Sequence, residues 1–264
     1  MTSWEILALF GSALAAGAIN AVAGGGTVLT FPALLYTGTG AVVANATSGL
    51  ALTLGTAGSL FSYRGQLPAI RPWLARFVPI SIIGSLLGSS LVKLQGEAVF
   101  VKIVPWLLLF ATFLFLIQGP LKRWREHRAH RATPARTSPG LMDLPVGACI
   151  FLQALVAFYG GYFGAGIGIL MLAVLGLMGM GDIHQMNALK NLLAATINAT
   201  ASVYFALSGL VDWPRAAIML AGALIGYWLG AHYSQKIPQA AVRTIVIGVG
   251  LAISAGMFWK LMHG

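Results

Sequence analysis

The sequence predicts an all-α polytopic membrane protein made of two inverted repeats of five segments each. Of its 264 residues, 58% are hydrophobic and only 8% are charged, against about 25% charged in an ordinary soluble domain. Long apolar runs alternate with short polar stretches, which is typical of a bundle of membrane-spanning helices. A glycine-rich interruption recurs in the second half of the chain, and this predicts the repeat.

Ten apolar segments are predicted, at 5–22, 27–37, 43–62, 74–93, 98–117, 143–163, 166–179, 185–208, 214–233 and 239–260. The second and seventh are too short to span, because a crossing needs about 20 residues. Each follows a glycine-rich stretch, GGGT at 24–27 or GGYFGAGIG at 160–168. The two sets of five match in order and length, so each repeat should contain a glycine-broken helix pair that ends in a short half-helix.

Charge predicts the orientation of the repeats. The stretch LKRWREHRAHRATPAR at 121–136 carries six of the sixteen Lys and Arg residues, and such loops stay in the cytoplasm beside anionic headgroups. We therefore expect an N-terminal transmembrane repeat at 1–118, a basic cytoplasmic linker at 119–140 and a C-terminal transmembrane repeat at 141–264. Inversion requires an odd number of crossings per half, so each glycine-broken pair must return to its starting side. Both termini are then outside.

Several partner and cofactor classes are not expected. The net charge of +10 comes without a nucleic-acid recognition motif, so we expect no nucleic-acid partner. Cys149 is the single cysteine and excludes an intramolecular disulfide or a cysteine metal cage. Cation carriers usually need a carboxylate at membrane depth. The six acidic residues all fall at or beyond segment ends, so we expect neither a metal nor a cofactor: Glu5, Glu97, Glu126, Asp143, Asp182 and Asp212.

The two glycine breaks predict a substrate site. Irregular backbone at membrane depth is tolerated where it is buried in protein or lines a cavity, and equivalent breaks in inverted halves indicate a midplane site. The N–H groups that follow Gly26 and Gly166 would carry the positive end of a helix dipole and favour an anion. The alternative is that these glycines only allow close helix packing.

Polar side chains cluster just after each break. The third segment carries Asn45, Thr47 and Ser48, and the eighth carries Asn187, Lys190, Asn191 and Asn198. The spacing on the eighth segment keeps its polar residues on one helical face, which should turn into the protein because asparagine is costly in lipid. Lys190 is either an anion-binding charge or a helix-end lysine that reaches the headgroups.

At these motifs the chain resembles the TauE/SafE family of anion transporters, also called the toluene-sulfonate uptake permease family. The resemblance rests on the charged central loop and on NAVAGGGTVLTFPALL (20–35), NATSGLALTLGTAGSL (45–60), GGYFGAGIGILMLAVL (160–175) and NALKNLLAATINATASV (187–203). It implies transport of sulfur-containing anions such as sulfite, sulfoacetate or aromatic sulfonates.

The resemblance also implies which residues contact the substrate. In the first half these are Gly24, Gly25, Gly26, Thr27, Asn45, Thr47 and Ser48. In the second half they are Gly164, Gly166, Gly168, Asn187, Lys190 and Asn191. Ile167 stands where the first break has Thr27, so the two breaks need not contribute equally.

We therefore expect a secondary transporter of a small sulfur-containing anion in the bacterial inner membrane, and not an enzyme. The alternatives are a cation or metal permease of similar architecture, a membrane-embedded enzyme that uses a histidine or Lys190 on a lipid-borne substrate, and a non-transporting membrane subunit. The sequence leaves open the direction, the coupling ion (H⁺ or Na⁺) and whether the chain forms a homodimer.

Overall fold

The computed structural model describes residues 1–22, 25–56, 65–131, 145–178, 180, 182–233 and 239–263. Within these ranges the chain forms helices and no strand, which confirms the all-helical prediction for this part of the chain. The helices are α1 (Ser3–Val22), α2 (Thr27–Tyr36), α3 (Ala41–Thr56), α4 (Leu67–Arg131), α5 (Val146–Tyr162), α6 (Ile167–Leu177), α7 (Ile183–Leu207), α8 (Trp213–Tyr233) and α9 (Gln239–His263).

The predicted fourth and fifth segments are the two arms of α4. They join at Gly96, whose φ of 72° and ψ of −179° are not helical and suit only glycine. The chain reverses there, because residues on both arms reach Tyr162. The Gly88 backbone packs against the Tyr162 backbone, and the Phe100 ring lies 5.7 Å from the Tyr162 ring.

The second arm of α4 runs on to Arg131. The first part of the basic linker is therefore helical, where a loop was expected, while residues 132–140 lie outside the described residues. Lys, Arg, Glu and Ala dominate this stretch, and all four have high helix propensity.

Each short helix folds back along the longer helix before it. α2 and α6 have 10 and 11 residues, which at 1.5 Å per residue is about half of the hydrocarbon core. The Tyr36 ring at the end of α2 lies 5.8 Å from the Trp4 ring at the start of α1. Met178, just after α6, belongs to the same buried cluster as Cys149 near the start of α5. The end of α2 therefore lies near the start of α1, and the residue after α6 shares a buried cluster with the start of α5.

Three chain reversals meet at one end of the bundle. Glu97 accepts hydrogen bonds from the N–H groups of Ala41 and Val42, the latter at 2.9 Å. Arg215 pairs with Asp212 and donates to the Thr37 carbonyl oxygen at 3.2 Å. These contacts join the α2–α3 turn to the Gly96 bend and to the start of α8. They also place two of the acidic residues at helix ends.

Two helix crossings depend on glycine. α1 crosses α8, where a methyl group on Gly230 would lie 2.6 Å from the Ala18 Cα. α5 crosses the first arm of α4, where a methyl group on Gly84 would lie 2.7 Å from the Ala157 Cβ. In a bilayer the hydrophobic effect does not drive helices together, so close packing of this kind contributes strongly to their association.

Three described stretches are long and apolar enough to cross a membrane: Ser3–Ala21, Leu67–Ile117 and Trp213–His232. Five more are apolar but shorter, namely Thr27–Tyr36, Ala41–Leu54, Val146–Tyr162, Ile167–Leu177 and Thr244–Trp259. α7, with 25 residues, is in neither group. It packs against α3, α4, α5 and α6, so its polar side chains are sheltered by other helices.

Candidate functional site

The first break lies between Val22 and Thr27, and its Gly24 is outside the described residues. Gly25 has a φ of +95°, and a side chain there would collide with the Phe115 ring. The Gly26 N–H donates to the Asn20 Oδ1 at 2.8 Å. The amide of Gly26, a residue that the resemblance assigns to the substrate, is therefore used by a side chain of α1 in this conformation.

Hydroxyl groups hold the first half of the predicted site together. Thr30 and Ser48 share a hydrogen bond of 2.6 Å between their Oγ atoms, and Thr30 also donates to the Gly26 carbonyl oxygen at 3.2 Å. Thr47 accepts from the Asp212 N–H at 3.0 Å. Thr47 and Ser48 are fully buried, so both predicted site residues already have partners within the protein. Thr27 is half-buried at the first position of α2.

The second break uses two left-handed glycines. Gly164 and Gly166 both have a φ of +76°, in the region that favours glycine. The Tyr159 hydroxyl donates to the Ala165 carbonyl oxygen at 2.6 Å. The Asn45 Nδ2 donates to the Tyr162 carbonyl oxygen at 3.0 Å. Two side chains thus satisfy one carbonyl group in the last turn of α5 and one in the break that follows it.

The two breaks lie against adjacent residues of α4. Gly25 packs on the Phe115 ring, and a methyl group on Gly166 would lie 3.3 Å from the Leu114 Cδ1. The Phe31 ring of α2 is 5.5 Å from the Phe163 ring of the second break. Segments some 140 residues apart in the chain are therefore neighbours in the fold.

The polar face of α7 lies beside the second break. A methyl group on Gly168, in the first turn of α6, would lie 3.7 Å from the Lys190 Cδ. A methyl group on Gly164 would lie 3.7 Å from the Asn198 Oδ1. Asn187, Lys190 and Asn191 are half-buried. The structure thus brings Lys190 to the predicted glycines of the second break.

Lys190 has no acidic partner among the residues that the structure describes. Within the described ranges neither Lys190 nor Asn187 nor Asn198 makes a hydrogen bond or an ion pair. A sheltered, unpaired ammonium group is costly, and a bound anion would offset that cost. The second half of the site therefore offers a cation and amide groups with no partner in this part of the chain.

Two residues that shape the breaks, Asn20 and Tyr159, were not among the predicted site residues. Asn20 opens the stretch NAVAGGG, and a carboxamide one turn before a break in an apolar segment was a usable signal. Tyr159 lies in an apolar run, where nothing distinguishes a bonded hydroxyl from packing. No group of three or more His, Cys, Asp and Glu side chains that could hold a metal occurs among the residues described.

Comparison with known proteins gives the family. The family model described as "Sulfite exporter TauE/SafE" matches residues 9–257. A probable membrane transporter protein of Haemophilus influenzae is 30% identical over 255 residues, covering 95% of this chain and 93% of that protein. The probable membrane transporter protein YfcA of Escherichia coli K12 is 28% identical over 258 residues, covering 97% and 90%.

A third relative, the probable membrane transporter protein ORF9 of Sinorhizobium sp, is 27% identical over 261 residues, covering 97% of this chain and 93% of that protein. No solved structure matches the chain significantly. The family match spans nearly the whole chain and agrees with the resemblance of the glycine motifs. The chain therefore belongs to the TauE/SafE family.

Proposed function

We propose that the chain is a secondary transporter that carries a small sulfur-containing anion, such as sulfite or an organosulfonate, across the bacterial inner membrane. The observation that carries the proposal is Lys190, which is half-buried, lies over Gly168 and has no acidic partner among the described residues. The description "Sulfite exporter" belongs to the family model and supports the choice of substrate class.

An anion suits the charges around this site. Lys190 lies near the first turn of α6, where the helix dipole adds partial positive charge. Among the described carboxylates, Glu97, Asp182 and Asp212 lie at helix ends or at the α4 bend. A sulfite or sulfonate group presents three oxygens to such donors, and transport without covalent chemistry needs no catalytic group.

The predicted site residues divide into two roles in this proposal. Lys190, Asn187 and Asn191, with the glycines at 164, 166 and 168, form the surface that meets the anion. Asn45, Thr47 and Ser48 have structural roles, because each is bonded within the protein: Asn45 to the Tyr162 carbonyl, Thr47 to the Asp212 N–H and Ser48 to the Thr30 hydroxyl. Gly25 of the first break, which packs on Phe115, completes the site in this proposal.

Alternating access would come from rocking of the two inverted repeats, 1–118 and 141–264, around this site. The two glycine crossings support that relation, since Gly84 and Gly88 on the first arm of α4 correspond to Gly226 and Gly230 on α8. Each pair packs against the first helix of the other half. The linker at 119–140 would lie in the cytoplasm and both termini outside.

A thermal-shift screen of the detergent-purified protein tests the proposal. The panel contains sulfite, sulfoacetate, taurine, aromatic sulfonates, carboxylates and divalent cations, and a ligand that binds the folded state raises its apparent stability. We expect stabilisation by a sulfur oxyanion that Lys190→Ala abolishes. Lys93→Ala is the matched control, because Lys93 is exposed at the bundle end near Ser208. Stabilisation by cations alone would contradict the proposal.

A further inference from the structure

Asn20 bridges the first glycine break. It lies in the last turn of α1 and is half-buried. Its Oδ1 accepts a hydrogen bond from the Gly26 N–H at 2.8 Å, six residues further on. This bond fixes the side chain relative to the start of α2.

The bond also fixes which way the carboxamide faces. A backbone N–H can only donate, so its partner must be the Asn20 oxygen and not the nitrogen. Because the carboxamide is planar, its –NH₂ group then points away from the Gly26 amide. That group makes no hydrogen bond within the described part of the chain, so two donors remain available at the break.

Asn45 shows the opposite orientation. Its Nδ2 donates to the Tyr162 carbonyl oxygen, and its side chain is buried. Asn45 therefore has one of its two N–H groups engaged by the Tyr162 carbonyl, whereas both N–H groups of Asn20 lack a partner in the described part of the chain.

The geometry points to Asn20 as a further substrate-binding residue, whose –NH₂ group donates to an oxygen of the transported anion. This inference rests on the proposed function. The first break packs on Phe115 and the second on Leu114, so Asn20 supplies neutral donors to the site where Lys190 supplies charge. The Gly26 N–H then acts as the group that orients Asn20.

Two variants test whether the Asn20 –NH₂ group binds the anion or whether only the bond from the Gly26 N–H to Asn20 matters. Asn20→Asp keeps an oxygen for the Gly26 N–H and places a second oxygen where the –NH₂ group was. Asn20→Leu has a similar shape and no charge, so any loss of anion binding in it does not come from repulsion. We expect both variants to bind sulfite and sulfoacetate at least about tenfold more weakly than the wild type, with Asn20→Asp keeping its ligand-free melting temperature.

The outcomes distinguish this inference from the proposed function. Wild-type affinity for the anions in either variant would overturn the role of Asn20. If Lys190→Ala loses the anion while an Asn20 variant keeps it, the proposed function stands and the inference falls. If no sulfur oxyanion of the panel stabilises the folded wild type, both fall.

Discussion

The two glycine breaks look alike in sequence and are built differently in the fold. At the first break, Asn20 accepts a hydrogen bond from the Gly26 N–H, and Thr30 donates one to the Gly26 carbonyl oxygen. At the second break, Tyr159 and Asn45 donate hydrogen bonds to backbone carbonyl groups. Among the described residues, a lysine lies beside the short helix of the second break and none beside that of the first.

Two breaks that are similar in sequence therefore need not form two similar binding sites. In both halves a side chain satisfies the backbone that the break exposes, as burial requires. In the first half, most of the polar side chains near the break form hydrogen bonds within the protein. In the second half, Lys190, Asn187 and Asn198 of α7 have no partner in the described ranges. We therefore assign the charge at the site to the second half.

The largest expected effect comes from Gly25→Ala. The left-handed φ at this position costs a non-glycine residue about 1–2 kcal/mol, and overlap with the buried Phe115 ring adds about 1–3 kcal/mol. We expect a large fall in the yield of folded protein and in its melting temperature. Gly168→Ala is the control, because its new methyl group would make only an ordinary contact with Lys190. Equal stability of the two variants would show that the first break does not need glycine.

Tyr159→Phe should have the next largest effect. It removes the hydroxyl that bonds to the Ala165 carbonyl oxygen, and a buried unpaired carbonyl costs about 1–3 kcal/mol. Thermal unfolding in detergent measures the loss. Tyr162→Phe, whose hydroxyl accepts from Gln95 in a partly buried position, should cost less than about 1 kcal/mol. A larger loss for Tyr162→Phe would contradict the role given to Tyr159.

Ser48→Ala should have the smallest effect. Thr30 loses one hydroxyl partner but keeps its bond to the Gly26 carbonyl, so the cost should be about 1 kcal/mol or less. Because Ser48 is fully buried, we expect unchanged stabilisation by sulfite and sulfoacetate in the thermal-shift assay. If a folded Ser48→Ala protein is no longer stabilised by these anions, Ser48 contacts the substrate after all.

The helices could be predicted closely from the apolar segments. The main departures are the helical extension to Arg131 and the joining of two segments at Gly96. Segment length revealed the short helices, because a run of ten or eleven residues cannot span a bilayer. The crossing glycines Gly84, Gly88, Gly226 and Gly230 are present in the sequence, but their close contacts with α5 and α1 are seen only in the fold.

The roles of the polar residues were harder to predict. Thr47 and Ser48 look equivalent to Asn187 and Lys190 in sequence, yet they bond to Asp212 and Thr30. A hydroxyl or carboxamide can hold backbone or bind a ligand, and only its partner in the fold decides which. The orientation of Asn20 depends on the Gly26 amide, which no sequence pattern specifies.

Transport of radiolabelled sulfite into proteoliposomes is the most direct test of an anion site at Lys190. The wild type, Lys190→Ala and Lys93→Ala are reconstituted in equal amounts, with insertion checked in each. We expect the wild type and Lys93→Ala to carry sulfite, and Lys190→Ala to carry none above empty liposomes. Wild-type sulfite flux through Lys190→Ala would contradict the assignment of the anion site to α7 and the second break.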